Sequence, residues 1–466
     1  MRSGLFIQTG IRGVERDQAL KIISSMLPSS IVLFRGDFSD ETELQELIKD
    51  IQKLYAIEKS TVPPVFAIDQ EGGNVVRIPW LDYNPSNYFL GQVNNEKLTN
   101  YVGLVTGSDL YRLGIRWNLA PVLDILNNYN QVLLERSFGE DVETVAINGA
   151  AYISGLQNQG VAATAKHFPG HGGVLEDSHQ TLPRDKRTMN ALLNDAFPFK
   201  AAIMAGVRTV MLSHVLYEEL DADNPATLSQ KAYDLLRKTF QFNGLVITDS
   251  VDMKAVSRNY STPEIVSKTV GLGADLVECA DLQTSVELSD SIRGIDSDKL
   301  KKKVERISSF LPEKKVNFRP PREVLQSFSI ISSKVHRQIY IDPDKHFYVV
   351  LLDTIAESQV AEEYSTAGAL TRSLKENYFD FTLMDATAFR GFHLYGTQMI
   401  IVGRNEHLKD RVSSITEKCV QNRCVFISTS ISKDMGIIPE NVGYIAAYSS
   451  KPENILGAIY RAMKFF

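Results

Sequence analysis

Over its first three hundred residues the chain repeats one pattern: a short, β-branched apolar run followed by a longer stretch whose apolar residues recur at helical spacing. The runs are Gly4 to Gln8, Ser30 to Phe34, Pro64 to Ile68, Arg116 to Pro121, Val161 to Ala165, Arg208 to Leu212, Leu245 to Thr248 and Ala274 to Val277. Continuous apolar runs of this length read as strands buried on both faces. The intervening stretches, such as Asp40 to Tyr55 and Gln230 to Phe240, carry helical periodicity. Strand and helix in strict alternation imply parallel strands, because a parallel neighbour needs a crossover. Eight such units in roughly 300 residues predict a closed (β/α)8 barrel rather than an open doubly wound sheet.

A boundary follows the eighth unit. Ser297 to Leu311 is a strongly charged helical stretch, and Pro312 to Pro321 is polar and proline-bearing, as a connector should be. Strand-like runs then return at His346 to Leu352, Phe379 to Met384, Gln398 to Val402, Arg423 to Ser428 and Val442 to Ala447. A last helix is expected from about Pro452 to Phe466, with Ser449 or Ser450 as its cap. The expected organisation is a barrel over 1–311, a linker over 312–325 and a smaller α/β domain over 326–466. The sequence contains neither a short-period repeat nor a low-complexity tract.

Composition narrows the partners. Fifty basic residues stand against 56 acidic ones in 466, a net charge of -6, so there is no basic excess of the kind nucleic acid or an anionic membrane would select. No apolar run reaches the ~20 residues that a spanning helix needs, and the N-terminus lacks a sustained apolar core, so the chain reads as cytoplasmic. Cys279, Cys419 and Cys424 fall into no paired spacing and read as free thiols rather than disulfides or zinc ligands.

Chemistry concentrates in Lys166-His167-Phe168-Pro169-Gly170-His171-Gly172 and, just beyond it, Asp177-Ser178-His179. Three of the eight histidines lie here, in a segment where Pro169 and the glycines favour a loop. Asp69, His167, His214 and Asp249 each follow a candidate strand. Any one of them could be an ordinary strand-end or cap residue. Together they place ionisable groups from four strands at the carboxyl rim, where barrels build their sites.

These motifs, with Ile68-Asp69-Gln70-Glu71-Gly72-Gly73 and Arg77, Arg136-Ser137-Phe138-Gly139-Glu140-Asp141, and Ile247-Thr248-Asp249-Ser250-Val251-Asp252-Met253, resemble glycoside hydrolase family 3 from the N-terminus to about residue 310. The branch they are most similar to is the bacterial β-N-acetylglucosaminidases. The resemblance implies Asp249 as nucleophile, His179 as acid and base with Asp177 orienting it, and Asp69, Arg77, Arg136, Lys166 and His167 as ligands of the N-acetylglucosamine unit. Such a site would cleave with retention through a covalent glycosyl-aspartate in two displacements. His179 would protonate the leaving oxygen as imidazolium and later take a proton from water. Neither a metal nor an organic cofactor is implied, and the expected partner is a small oligosaccharide derived from peptidoglycan or chitin.

Departures and rivals are also legible. Gly173-Val174 stand where the family usually has Asp-Thr, Asn74 where arginine is common, and Asn127 to Gln131 lacks the usual prolines, so the aglycone side is left open. His167 and His171, four apart, suggest a zinc hydrolase, but Pro169 and Gly170 interrupt the helix that would align them. A non-catalytic sugar-binding protein would need neither Asp249 nor His179. A phosphorylase remains as a third class, since a neutral histidine would repel an incoming phosphate less than a carboxylate. The sequence gives no oligomeric state.

Overall fold

The computed structural model describes residues 3–60, 62–81, 85–127, 133, 135–174, 182–293 and 297–316, and beyond these six strands between 334 and 446. Eight parallel strands form the first unit: β1 (Ile7–Gly10), β2 (Ser30–Leu33), β3 (Val65–Ile68), β4 (Trp117–Asn118), β5 (Ala162–Phe168), β6 (Thr209–Leu212), β7 (Leu245–Thr248) and β8 (Val277–Cys279). They pair in the order β8-β1-β2-β3-β4-β5-β6-β7, and a parallel bridge between Ile247 and Leu276 joins the last to the first. The closed barrel expected from the periodicity is therefore present.

Its residues explain its shape. Nearly every strand position is buried, as continuous apolar runs require, because helices cover the outside and side chains fill the inside. Some polar groups within the barrel pair with one another: Trp117 Nε1 donates to Thr164 Oγ1 at 2.8 Å, and the Thr164 and Thr209 hydroxyls meet at 2.6 Å. The helix Glu41–Ile57 starts where Asp40 accepts from the Glu43 amide at 2.9 Å, and Asp141 caps Val142–Asn158 through the Thr144 amide at 2.8 Å. At the base, buried Asp275 accepts from Arg237 at 2.9 Å and from Arg306 Nε at 2.8 Å, tying the helix Ser297–Ser309 to the barrel.

Several expectations shift. β4 keeps only Trp117–Asn118 of the run Arg116 to Pro121, and β5 runs on to Phe168 rather than ending at Ala165, so Lys166 and His167 belong to the strand and the loop begins after them. β1 begins three residues late because Ser3–Phe6 coils into a 3-10 turn, in which a side chain at Gly4 would strike the Met26 carbonyl. β8 likewise starts at Val277 rather than Ala274, which carries Glu278 into the barrel wall. The stretch Gln230 to Phe240 is helical only to Asp234 and then widens into a π-turn over Leu235–Thr239.

The second sheet contains β9 (Lys334–Arg337), β10 (Phe347–Leu351), β11 (Phe381–Asp385), β12 (Gln398–Gly403), β13 (Arg423–Ser428) and β14 (Gly443–Ala446), in the order β9-β14-β13-β12-β10-β11. All pairings are parallel except β9 with β14. β9 was not expected from the sequence. The proposed helix at 452–466 lies outside the described residues.

Candidate functional site

The rim site begins with an irregularity in β5. Against β6, Ala165 pairs with Val210 but Phe168 with Leu212, so β5 carries one extra residue at Lys166-His167. Strict alternation would send these neighbours to opposite faces; the extra residue lets both reach the mouth. The Lys166–His167 and Phe168–Pro169 peptide bonds are cis.

Lys166 Nζ lies 2.7 Å from Asp69 Oδ1, at the end of β3, and 2.6 Å from Glu71 Oε1. Glu71 also takes a two-pronged bond from Arg136, at 2.8 Å from Nε and 3.0 Å from Nη2. Arg77 Nη2 stands 3.9 Å from the other Asp69 oxygen. Burial opposes charge on Glu71, but Arg136 and Lys166 outweigh it and hold its carboxyl well below the usual range. Burial likewise opposes charge on Lys166, and Asp69 and Glu71 overcome it, raising the amine above its ordinary value. Asp69, Arg77, Arg136 and Lys166 thus form one charge network, with Glu71 at its centre.

The backbone around Glu71 is built for this. The Glu71 amide donates to Val75 O at 3.0 Å in a tight loop through Gly72 and Gly73, and Gly73 has φ +57° with the Ser86 side chain against it. Gln70 Oε1 accepts from the amides of Arg77 and Ile78, which fixes where Arg77 leaves the chain. Asn87 Nδ2 donates to Arg136 O at 2.7 Å and anchors the second arginine.

His167 is oriented by Asp124, a fully buried acid beyond β4. Nδ1 of the ring lies 2.7 Å from Asp124 Oδ2, while Asp124 Oδ1 accepts from the amides of His167 and His171 at 3.1 and 2.8 Å. Burial works against the Asp124 charge, yet His167, His171 and these bonds keep its carboxyl low. With its Nδ1 committed to Asp124, Nε2 is the ring nitrogen that His167 has left for a ligand. His171 is buried with Nδ1 unpartnered among the described residues, and burial pushes it down to about 4, so it is a neutral wall of the loop. Gly172 presses on Ile125, where an added Cβ would lie 1.6 Å from the carbonyl oxygen.

Asp249 follows β7, its amide bonded to Leu212 O at 3.1 Å and its Oδ1 accepting from the Ser250 amide at 2.8 Å. His214, after β6, supports that turn. Its Nε2 faces Ser250 O at 2.9 Å and its Nδ1 faces Thr227 Oγ1 at 2.8 Å. A carbonyl oxygen only accepts, so Nε2 carries the proton.

The structure therefore brings Asp69, Arg77, Arg136, Lys166, His167 and Asp249 to one rim. Asp177 and His179 lie outside the described residues. Sequence reading missed Glu71 and Asp124 as partners and Glu278 as a rim residue. A single acid in the apolar run Leu119 to Leu126 was the available signal for Asp124, since a buried carboxylate needs a partner.

Residues 8–315 match the family model described as Glycosyl hydrolase family 3 N terminal domain. The chain belongs to glycosyl hydrolase family 3. The match spans the whole barrel and every motif above, so the protein is a glycoside hydrolase by family. A relative named Beta-hexosaminidase from Glaesserella parasuis serovar 5 (strain SH0165) is 33% identical over 277 residues, 59% of this chain and 80% of its own length. Another Beta-hexosaminidase, from Actinobacillus pleuropneumoniae serotype 3 (strain JL03), is 30% identical over 310 residues, 65% and 87% of the two chains. The solved family 3 β-N-acetylglucosaminidase of Paenibacillus sp. str. FPU-7 is 27% identical with a TM-score of 0.86, covering 99% of this chain and 95% of that one. That likeness extends through the second sheet as well as the barrel.

Proposed function

We propose that the protein is a retaining, exo-acting β-N-acetylhexosaminidase that removes terminal β-linked N-acetylglucosamine from small oligosaccharides of the peptidoglycan or chitin type. The observation that carries this reading is the rim network itself: Asp249 held at the end of β7, on the same rim as the largely buried array of Asp69, Arg77, Arg136 and Lys166. Such an array offers fixed donors and acceptors to ring hydroxyls, and bonds to a sugar strengthen as it distorts toward the oxocarbenium-like transition state. His167, fixed by Asp124, adds a directed ring nitrogen.

In the reaction, Asp249 attacks the anomeric carbon and forms a glycosyl ester while His179, oriented by Asp177, gives its proton to the leaving oxygen. Water then enters, His179 removes its proton, and the sugar departs with its configuration retained. The chemistry is assigned to side chains, with neither a metal nor an organic cofactor. The barrel is read as the catalytic domain over 1–311 and 326–466 as a separate α/β domain after the linker 312–325. The setting is read as cytoplasmic, with neither nucleic acid nor membrane as partner. No helix among the described residues is long and apolar enough to cross a membrane.

Two variants test the assignment. Asp249→Ala is expected to abolish turnover of an aryl β-N-acetylglucosaminide while the fold persists; turnover at the wild-type rate refutes it. His179→Ala is expected to cost more with poor leaving groups than with activated ones, which need less protonation. With water as acceptor, phosphate buffer yields no N-acetylglucosamine 1-phosphate.

A further inference from the structure

Glu278 takes no part in the motifs, yet it stands on β8 beside the nucleophile candidate with its side chain almost wholly enclosed (5% exposed). Its amide donates to Thr248 Oγ1 at 3.0 Å and its carbonyl accepts from Val251, on either side of Asp249. Which way the side chain points follows from alternation. Thr9, the register partner of Cys279, bonds Ser285 of the covering helix Leu282–Ile292 at 2.8 Å, so Thr9 and Cys279 face outward. Gln8 and Glu278, also register partners, therefore face the barrel interior.

Both carry a buried oxygen with no hydrogen-bond partner among the described residues: Gln8 Oε1 and Glu278 Oε2. The Gln8 amide is fixed by its other end. Ser30 Oγ gives its proton to Val65 O at 2.9 Å, so it can only accept from Gln8, and Gln8 Nε2 lies 2.8 Å away. The Gln8 oxygen is thus turned away from Ser30. These two enclosed acceptors, on register partners of adjacent strands, find no donor among the described residues; a proton on Glu278 supplies one, and Gln8 cannot carry it.

The charges facing Glu278 agree. Asp69 from the end of β3 and Asp249 and Asp252 from beyond β7 are negative, and Lys166 on β5 is the opposing cation. Burial first, and then these carboxylates, raise the Glu278 carboxyl well above its usual range.

We propose that Glu278 serves the reaction as a neutral carboxylic acid that shares its proton with Gln8 Oε1, so that Asp249 remains the ionised carboxylate of the rim. Glu278 is then a positioning residue, and this role rests on the reading of Asp249 as nucleophile. Were Glu278 charged, its field would make Asp249 harder to ionise.

The test uses the full-length protein with Glu278→Gln and Glu278→Ala. Glutamine keeps a neutral donor toward Gln8, so Glu278→Ala is expected to lose about tenfold in kcat and Glu278→Gln to recover most of it. The acidic limb of the Glu278→Gln pH–rate profile stays where the wild type has it. Infrared spectra show a protonated-carboxyl C=O band in the wild type that is missing from Glu278→Gln. An acidic limb displaced to lower pH, a glutamine variant as slow as the alanine one, or no band that the substitution removes would overturn the proposal. If neither variant folds, Gln8→Leu decides: losing the acceptor moves the acid band to higher frequency, and an unmoved band contradicts the shared proton. The infrared results do not depend on which carboxylate attacks the sugar, so they separate this proposal from the nucleophile assignment.

Discussion

Glu71→Gln removes the one negative charge that Arg136 and Lys166 share in the interior. The carboxylate is completely enclosed, with cationic nitrogens at 2.6, 2.8 and 3.0 Å. Glutamine is nearly the same size, so no cavity forms; what changes is that buried Arg136 loses its paired carboxylate and Lys166 is left with Asp69 alone. Breaking a buried pair by removing one partner costs about 3–5 kcal/mol. With an unfolding entropy of about 2.1 cal/mol/K per residue over the roughly 300 residues of the barrel, that is a fall in Tm of about 5–8 °C. The loss also depends on pH. The folded carboxyl ionises well below the value near 4.5 that the unfolded chain has, so its contribution is complete above about 4.5 and disappears as pH falls further. The gap between wild type and variant should therefore be full at pH 7 and narrow below pH 4.5. Because Arg136 and Lys166 would lose their fixed positions, kcat/KM should drop about 100-fold. Calorimetry across pH with steady-state kinetics on an aryl glycoside measures both. A Tm within about 1 °C of wild type at pH 7, or a gap that widens in acid, would refute the reasoning.

His171 takes up its proton at about 6.5 when unfolded but only at about 4 in the fold, so stability falls as pH drops from 6.5 to 4, by about 3 kcal/mol in all. His171→Asn should flatten that dependence in urea titrations at pH 7 and 4.5; an unchanged slope counts against it. His214→Phe keeps a planar ring but loses the bonds to Ser250 O and Thr227 Oγ1, and should lower kcat roughly 10–100-fold with little change in KM. An unchanged kcat would show that the Asp249 turn needs no such support.

Strand order and the rim groups were legible because the strand runs are continuous and four of them lead into Asp69, His167, His214 and Asp249. Strand register was less so. Gly4 to Gln8 and Ala274 to Val277 are apolar enough to begin a strand, and only packing decides where it starts: Gly4 against Met26 in one case, Asp275 bonded to the basal arginines in the other. That three-residue shift hid Glu278, which reads as a polar strand end but occupies an inward position. Glu71 and Asp124 were hidden for another reason. Their partners, Arg136 and His167, lie 65 and 43 residues away, and a spacing along the chain says nothing about such pairs.

The most direct test of the central claim is to trap the intermediate. A fluorinated N-acetylglucosaminide that forms the glycosyl ester quickly and hydrolyses it slowly is added to the protein, which is then digested and mapped by mass spectrometry. The account predicts one sugar per chain, on the peptide containing Asp249, with loss of activity in step with labelling. A label on another carboxylate, or complete turnover with inverted configuration and no label, would contradict it.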